Sequence, residues 1–326
     1  VELIDSYGRT INYLRLSVTD RCNLRCQYCM PAGGIAKVRH NDILSFEELL
    51  LIAECAVGLG IEKIRITGGE PLIRRGIVPF LARLAAIPGL RHLALTTNGL
   101  LLPELAVDLY QAGVQRLNVS LDSLDPATFA AITRGGELSR VLTGIAVAGQ
   151  AGFPPVKINM VVMGGINDHE LLDFARLTLD KPCAVRFIEY MPSLKEPGWQ
   201  ERAVPGQQVL DLIARHHDLE PVDKGAYAGP SRDFRIRGAA GTIGIITPVS
   251  GHFCGSCNRL RVTARGTAKS CLFSGQELDL CALVKAGDRD RLAAALGALV
   301  ATKPAGHGIS RERAEHDPFA MSRIGG

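Results

Sequence analysis

The stretch that decides the fold is Leu14-Arg15-Leu16-Ser17-Val18, which runs through Thr19-Asp20-Arg21 into Cys22-Asn23-Leu24-Arg25-Cys26-Gln27-Tyr28-Cys29. The first five residues alternate and read as a β-strand. The second group reads as too short and too curved for a helix or a strand. It suits a loop wrapped round a compact metal centre. Thiolates are the ligands that fit iron–sulfur clusters or zinc. Three ligands, one short of a closed site, leave a metal position open for a small molecule, as catalytic zinc sites also do. The alternative is a zinc loop completed by a distant fourth ligand.

Downstream, short β-rich runs alternate with helical stretches. Strands are expected over Lys63–Thr67, His92–Thr96, Arg116–Leu121, Val156–Val162 and Ala184–Tyr190. Between them, Ser45 and Glu48 form a capping-box pattern before a helix over Phe46–Leu59. Further helices are expected over Arg75–Ile87, Pro103–Ala112 and Ser139–Ala151, with Asp125-Pro126 starting another and Asp168 capping the next. Six strand–helix units predict a parallel sheet with right-handed crossovers. Polar residues gather just after the strands, in Thr67-Gly68-Gly69-Glu70, Thr96-Thr97-Asn98-Gly99 and Ser120-Leu121-Asp122. In α/β barrels the active site lies at that end. Six units suit an open, partial TIM-like barrel better than a closed one of eight. The rhythm breaks at Met191-Pro192, so the expected organisation is a barrel over 1–191 and a C-terminal α+β extension over 192–326. In the extension, Arg232–Arg237 and Thr242–Thr247 predict an antiparallel pair.

The extension carries a second thiol group, Cys254-Gly255-Ser256-Cys257, followed by Cys271. Zinc knuckles share C-x-x-C, but a zinc ribbon returns with a second such pair, and here only Cys271 comes back. Zinc would need Cys281, His252 or His307 as a fourth ligand. A second 4Fe–4S cluster with an open iron is the preferred reading.

The chain is 47% hydrophobic over 326 residues, enough for a large core. A net charge of +4 argues against a polybasic nucleic-acid binder. No apolar run reaches the roughly 18 residues of a membrane span. The first residues lack a signal-peptide pattern. Nine cysteines, an odd number with six in two groups, favour metal binding over disulfides and suggest a reducing cytoplasm.

The C-x-x-x-C-x-x-C loop with Tyr28 before its last cysteine resembles the radical S-adenosylmethionine (SAM) enzymes. The run from Tyr13 to Asn23, the Gly68-Gly69-Glu70-Pro71 motif, the stretch from Gly251 to Gly266 and the terminal Gly325-Gly326 narrow the resemblance. They match the branch of that family that cyclises GTP at the start of molybdopterin synthesis. The resemblance implies a 4Fe–4S cluster on Cys22, Cys26 and Cys29. There one electron cleaves SAM to a 5′-deoxyadenosyl radical. A second cluster on Cys254, Cys257 and Cys271 is implied to bind guanine at its open iron and so place the ribose C3′ hydrogen beside that radical. The C3′ radical then attacks guanine C8.

The same resemblance assigns SAM contacts to Tyr28, Gly69, Ser120 and Met191. It assigns GTP contacts to Arg15, Arg65, Thr96, Lys157, Arg186, Arg259 and Arg261. Basic side chains fit a triphosphate, and basic residues within apolar β-rich runs are not easily read as solvated charge. Without the resemblance, Ser120 is a strand-end hydroxyl and Met191 is core packing. Gly325 and Gly326 are implied to reach into the active site, where only residues lacking side chains would pass. The implied partners are GTP, SAM, an electron donor and the next enzyme of the pathway, cyclic pyranopterin monophosphate synthase, with a homodimer also open. Cys55, Cys183, Cys281, His307 and His316 receive no role. Rival readings are a peptide-modifying radical SAM enzyme, which usually carries more cysteines in its extension, and an electron carrier, which has no use for Gly68–Pro71. A GTP switch protein is disfavoured because the chain lacks G-x-x-x-x-G-K-[ST].

Overall fold

The computed structural model describes residues 2–35, 39, 42–191, 198–223, 225, 229–309 and 321–324. Its core is the six-unit alternation. In chain order this runs β1 (Tyr13–Ser17), α1 (Phe46–Gly58), β2 (Lys63–Thr67), α2 (Ile77–Ala85), β3 (His92–Thr97), α3 (Leu102–Gln111) and β4 (Arg116–Ser120). It continues with α4 (Pro126–Thr133), α5 (Leu138–Gln150), β5 (Lys157–Val162), α6 (Leu171–Asp180) and β6 (Ala184–Glu189). Neighbouring strands from β1 to β6 pair in parallel.

The strands obey a two-residue period that sorts side chains between two environments. Leu14, Leu16, Ile64, Ile66, Leu93, Leu95, Leu117 and Val119 are buried in the core. The alternate positions, among them Arg15, Arg65, Thr96, Asn118, Asn159 and Arg186, line a cavity on the other face. One face of the sheet therefore builds the fold and the other builds the site.

Helix signals are met to different degrees. At α1 both halves of the capping box form: Glu48 N–H donates to Ser45 Oγ at 3.1 Å, and Ser45 N–H to Glu48 Oε2 at 2.6 Å. Such a cap contributes about 1 kcal/mol. Asp125 caps α4 by accepting from Thr128 N–H at 2.7 Å. Asp168 does not cap α6. It lies in a 3₁₀ turn, Asp168–Glu170, and accepts from Gly165 N–H at 3.0 Å, so it closes the loop before the helix. The helix expected over Arg75–Ile87 is shorter, because Gly76 at φ +80° starts α2.

The extension supplies α7 (Trp199–Arg202), α8 (Gly206–Ala214), β7 (Leu219–Val222), β8 (Arg232–Ile236), β9 (Thr242–Ile246), β10 (Arg259–Val262), β11 (Thr267–Lys269) and β12 (Leu278–Asp279). Helices α9 (Cys281–Ala286), α10 (Arg289–Ala301) and α11 (Met321–Ile324) follow. The expected antiparallel pair forms as β8 and β9. The extension also continues the barrel sheet at both edges. Strand β9 pairs in parallel with β6, and β10 pairs in parallel with β1. The result is one sheet in the order β12-β11-β10-β1-β2-β3-β4-β5-β6-β9-β8-β7, open because its ends do not pair. Among the described residues, no helix is long and apolar enough to cross a membrane.

Candidate active site

The concave face of the sheet encloses a cavity of about 650 Å³. Its lining includes both cysteine groups: Cys22, Cys26 and Cys29 from one loop, and Cys254 and Cys257 from the loop before β10 with Cys271 from the segment after β11. Cys55, Cys183 and Cys281 are not part of the lining, and all nine cysteines are free thiols. Tyr28, Gly69, Ser120, Met191, Arg15, Arg65, Thr96, Lys157, Arg186, Arg259 and Arg261 also line it. Gly325, Gly326 and His316 lie outside the described residues.

The first loop is laid across the end of α4. Arg25 N–H donates to Thr133 O at 3.1 Å, and Gln27 N–H to Ile132 O at 2.9 Å. Arg134, at φ +54°, turns back and donates to the carbonyls of Arg25 and Met30, both at 2.9 Å. On the strand side the Gly68-Gly69-Glu70 turn grips the base of the loop. Gly69 N–H donates to Thr19 O at 2.7 Å, and Glu70 N–H to Arg21 O at 2.8 Å. A Cβ on Gly69 would stand 2.2 Å from Arg21 O, so glycine is required there by chain packing as well as by any ligand. The Glu70 carboxylate accepts from Leu72 N–H, Thr97 Oγ1 and Asn98 N–H. Burial outweighs these bonds and raises Glu70 to about 7. Asn98 Nδ2 in turn reaches Asn23 Oδ1 at 2.7 Å and Cys22 Sγ at 3.9 Å. Tyr28 Oη donates to Asp122 Oδ2 at 2.9 Å, fixing the residue before the last cysteine. Burial raises Asp122 to about 6.

The second loop turns at Cys254–Ser256, where Cys257 N–H donates to Cys254 O at 3.1 Å. Arg9 donates to Cys254 O at 2.7 Å, Pro304 O at 2.7 Å and Ala305 O at 3.0 Å. Its Nε pairs with Asp5. Buried Lys303 donates to the carbonyls of Arg259 and Ser270. Loop, N-terminal segment and C-terminal segment are thus tied together.

Both thiol groups fit a metal cluster. Burial pushes Cys22 up to about 11 and Cys26 well above the usual thiol range. Buried thiols of this kind ionise readily only against a strong cation. At Cys257 burial also pushes upward, but the charges of Arg259 and Lys303 outweigh it and bring the thiol down to about 6. Arg259 Nη2 donates to Cys257 Sγ at 3.5 Å.

Between the two loops the cavity wall is cationic. Arg261, Arg15 and Arg65 stand in one row across β10, β1 and β2. Arg259, Tyr13, Lys63 and His92 form the next row. Burial, then neighbouring guanidinium charge, brings Lys63 and Lys157 down to about 7. The same causes bring Arg261 to about 10 and lower Arg15 and Arg186. The buried Nε atoms of Arg65 and Arg186, Thr96 Oγ1 and Asn159 Oδ1 have no hydrogen-bond partner among the described residues. Buried polar groups are normally satisfied, so these atoms are able to hydrogen-bond a group placed in the cavity. A wall of mutually repelling cations fits a polyanion such as a triphosphate.

Sequence reasoning missed Lys63, Arg116, Asn159 and His92 on this wall. Lys63 carried a usable signal, since it precedes Arg65 by two residues on the same strand face. His307, expected to be an ordinary polar residue, also lines the cavity beside the second loop.

Comparison with known proteins agrees with this geometry. Residues 16–178 match the Radical SAM superfamily, and residues 183–309 match Molybdenum Cofactor Synthesis C. The chain is 67% identical over 326 residues to GTP 3′,8-cyclase of Geobacter sulfurreducens, covering 100% of both. It is 45% identical to GTP 3′,8-cyclase of Alkaliphilus oremlandii, covering 99% of each. The crystal structure of Streptococcus suis SuiB bound to S-adenosylmethionine shares the fold, with a TM-score of 0.60 at 15% identity. That match covers 89% of this chain and 69% of SuiB. Two three-cysteine groups on one cationic cavity, with full-length similarity to these cyclases, place the chain in the GTP 3′,8-cyclase family of the radical SAM superfamily.

Proposed function

We propose that the cavity takes SAM and GTP together and converts GTP to (8S)-3′,8-cyclo-7,8-dihydroguanosine 5′-triphosphate, the opening step of molybdenum cofactor synthesis. The observation that carries this is a single cavity holding both thiol loops with the cationic rows between them. Cys22, Cys26 and Cys29 would hold one 4Fe–4S cluster, and Cys254, Cys257 and Cys271 the other. The chemistry such a cluster supplies when bound at the first loop is one-electron cleavage of SAM to a 5′-deoxyadenosyl radical.

The chain's own residues do the positioning. Tyr28, Gly69, Ser120 and Met191 form the SAM side of the cavity. Arg15, Lys63, Arg65, Lys157, Arg186 and Arg261 neutralise the triphosphate, and Thr96 offers its unsatisfied hydroxyl. Arg259 stands where the phosphate wall meets the second loop and steadies the base end. Holding nucleotide and SAM at fixed separation supplies selectivity through proximity and orientation. Gly325 and Gly326 complete the site, so deleting them abolishes cyclisation and leaves the iron content unchanged. Residues 1–191 form the radical-generating unit and residues 192–326 the substrate-orienting one. The enzyme works in the cytoplasm, draws electrons from a separate donor and passes its product to cyclic pyranopterin monophosphate synthase. A homodimer is compatible with this scheme.

The test is anaerobic. Iron and sulfide are reconstituted, SAM and dithionite are added, and 5′-deoxyadenosine is followed with and without GTP. GTP-dependent formation with a nucleotide of cyclised mass is expected. SAM cleavage indifferent to GTP would discard the substrate. Zinc in place of iron, with no cleavage, would overturn the clusters as well.

A further inference from the structure

Beside the second loop the structure gathers three ligand-bearing side chains that the cluster assignment does not group together. The ligand atoms of His252, Cys254 and His307 all lie within 4.8 Å of one another. His252 Nδ1 and His307 Nε2 are 3.4 Å apart. Two nitrogens bound at about 2.0–2.1 Å to one tetrahedral ion stand about 3.3–3.4 Å apart. The spacing of the two nitrogens matches ligands sharing a single metal, and without one the two rings are within hydrogen-bond reach of each other.

Independent features hold this arrangement. His252 is one of two non-glycine residues with positive φ among the described residues, at +30°. Backbone strain of that kind persists where the surroundings enforce it and clusters at functional sites. Phe273 packs on the His307 ring at a centroid distance of 4.5 Å. Arg9 clamps the Cys254 carbonyl and the two residues that follow Lys303 in one grip, which brings His307 to the loop. Two other thiols nearby have partners of their own: Cys257 Sγ accepts from Arg259, and Cys281 Sγ donates to Arg265 O at 3.0 Å.

We propose that His252, Cys254 and His307 form a mononuclear site for a four-coordinate divalent ion of the zinc class, with its fourth position open to water. One nitrogen from each imidazole and one thiolate are the ligands that such an ion takes in three-ligand sites. Because Cys254 cannot serve both, this ion and the second cluster exclude each other. The chain can then hold a single ion at this loop before the cluster is built, and zinc competes with its assembly. The proposal stands whether or not the cavity cyclises GTP.

The experiment titrates cobalt(II) anaerobically into the full-length apo chain carrying C22A/C26A/C29A, which silences the first loop. The readouts are the thiolate-to-cobalt charge-transfer band and the tetrahedral d–d bands, followed by displacement with zinc. C254A is expected to abolish the band. H252A and H307A are expected to weaken binding by about tenfold or more, while C257A and C271A leave it unchanged. Absence of the band, binding that survives both histidine changes, or loss on C257A or C271A overturns the proposal. Should the triple variant misfold, the unsubstituted apo chain gives the same decision. His252 is exposed, and H252A is then expected to weaken the binding of one cobalt equivalent; unchanged affinity for every equivalent overturns the proposal.

Discussion

Arg15 on β1 and Arg261 on β10 stand directly opposite each other in a parallel pairing, so strands from the two ends of the chain bring a half-buried and a buried guanidinium group together. Arg65 continues the row on β2. Burial and this like-charge crowding lower both Arg15 and Arg261, the latter to about 10. Such a row costs stability in the ligand-free protein, and on the proposed function a bound polyanion would offset that cost.

Replacing Arg261 by Gln should therefore separate binding from stability. The GTP-induced rise in Tm should shrink, with affinity falling about tenfold or more, as expected for a lost charged hydrogen bond of about 1.5–3 kcal/mol. The ligand-free Tm should hold or rise. Thermal shift with and without GTP checks this, and a lower ligand-free Tm with an intact GTP response would make Arg261 structural.

The pH dependence follows from Lys63 and Lys157, each brought from 10.5 down to about 7. Between these values the unfolded chain binds more protons than the folded one, so ligand-free stability should rise with pH from about 7 toward 10.5. A bound triphosphate favours the protonated lysines, so GTP binding should take up protons at about pH 8 and weaken at higher pH. Calorimetry in two buffers of different ionisation enthalpy reads the uptake directly. Proton release would reverse the argument.

Gly69→Ala should dislodge the first loop, because its Cβ would meet the Arg21 carbonyl at 2.2 Å. Overpacking against backbone costs about 1–3 kcal/mol. About half of the reconstituted iron and all SAM cleavage should be lost, while the second loop keeps its share. Iron and sulfide analysis decides, and full iron content would show that the turn can shift without cost.

Arg9→Ala should act on the other loop. It leaves buried Asp5 without its cation and takes a donor from three carbonyls. Breaking a buried pair in this way costs about 3–5 kcal/mol. Tm should fall and the second loop should lose its iron first, with the first loop retaining its own. Equal loss from both loops would mean general unfolding.

The six barrel strands could be read from the chain because each alternates between core and cavity, as Leu14, Arg15 and Leu16 do. The cysteine spacing and Gly68–Pro71 pointed to the chemistry. Other features depend on long-range pairing that no local pattern records. Arg259 and Arg261 were recognisable as one face of an extended segment, but nothing nearby says that the segment lies beside β1. Lys63 shares a strand face with Arg65, but only the pairing register sets it across from Tyr13. His307 reads as a tail residue until Arg9 and Lys303 fasten its segment to the Cys254 turn. Asp168 shows the opposite failure, since a residue typical of helix caps bonds instead to Gly165 in its own turn.

The order in which the ribosome delivers the chain gives the sheet topology a further meaning. Among the described residues, strands β1 and β6 have their outer edges paired by β10 and β9, which begin at Arg259 and Thr242. Until that part emerges, both edges of the six-strand sheet present unpaired N–H and C=O groups, a template for aggregation. The N-terminal unit, although it carries the complete first thiol loop, is thus a poor candidate for independent expression. Nascent chains stalled before β9 should be clients of chaperones, and synthesis of the part from β9 onward is what makes the molecule safe from its own kind.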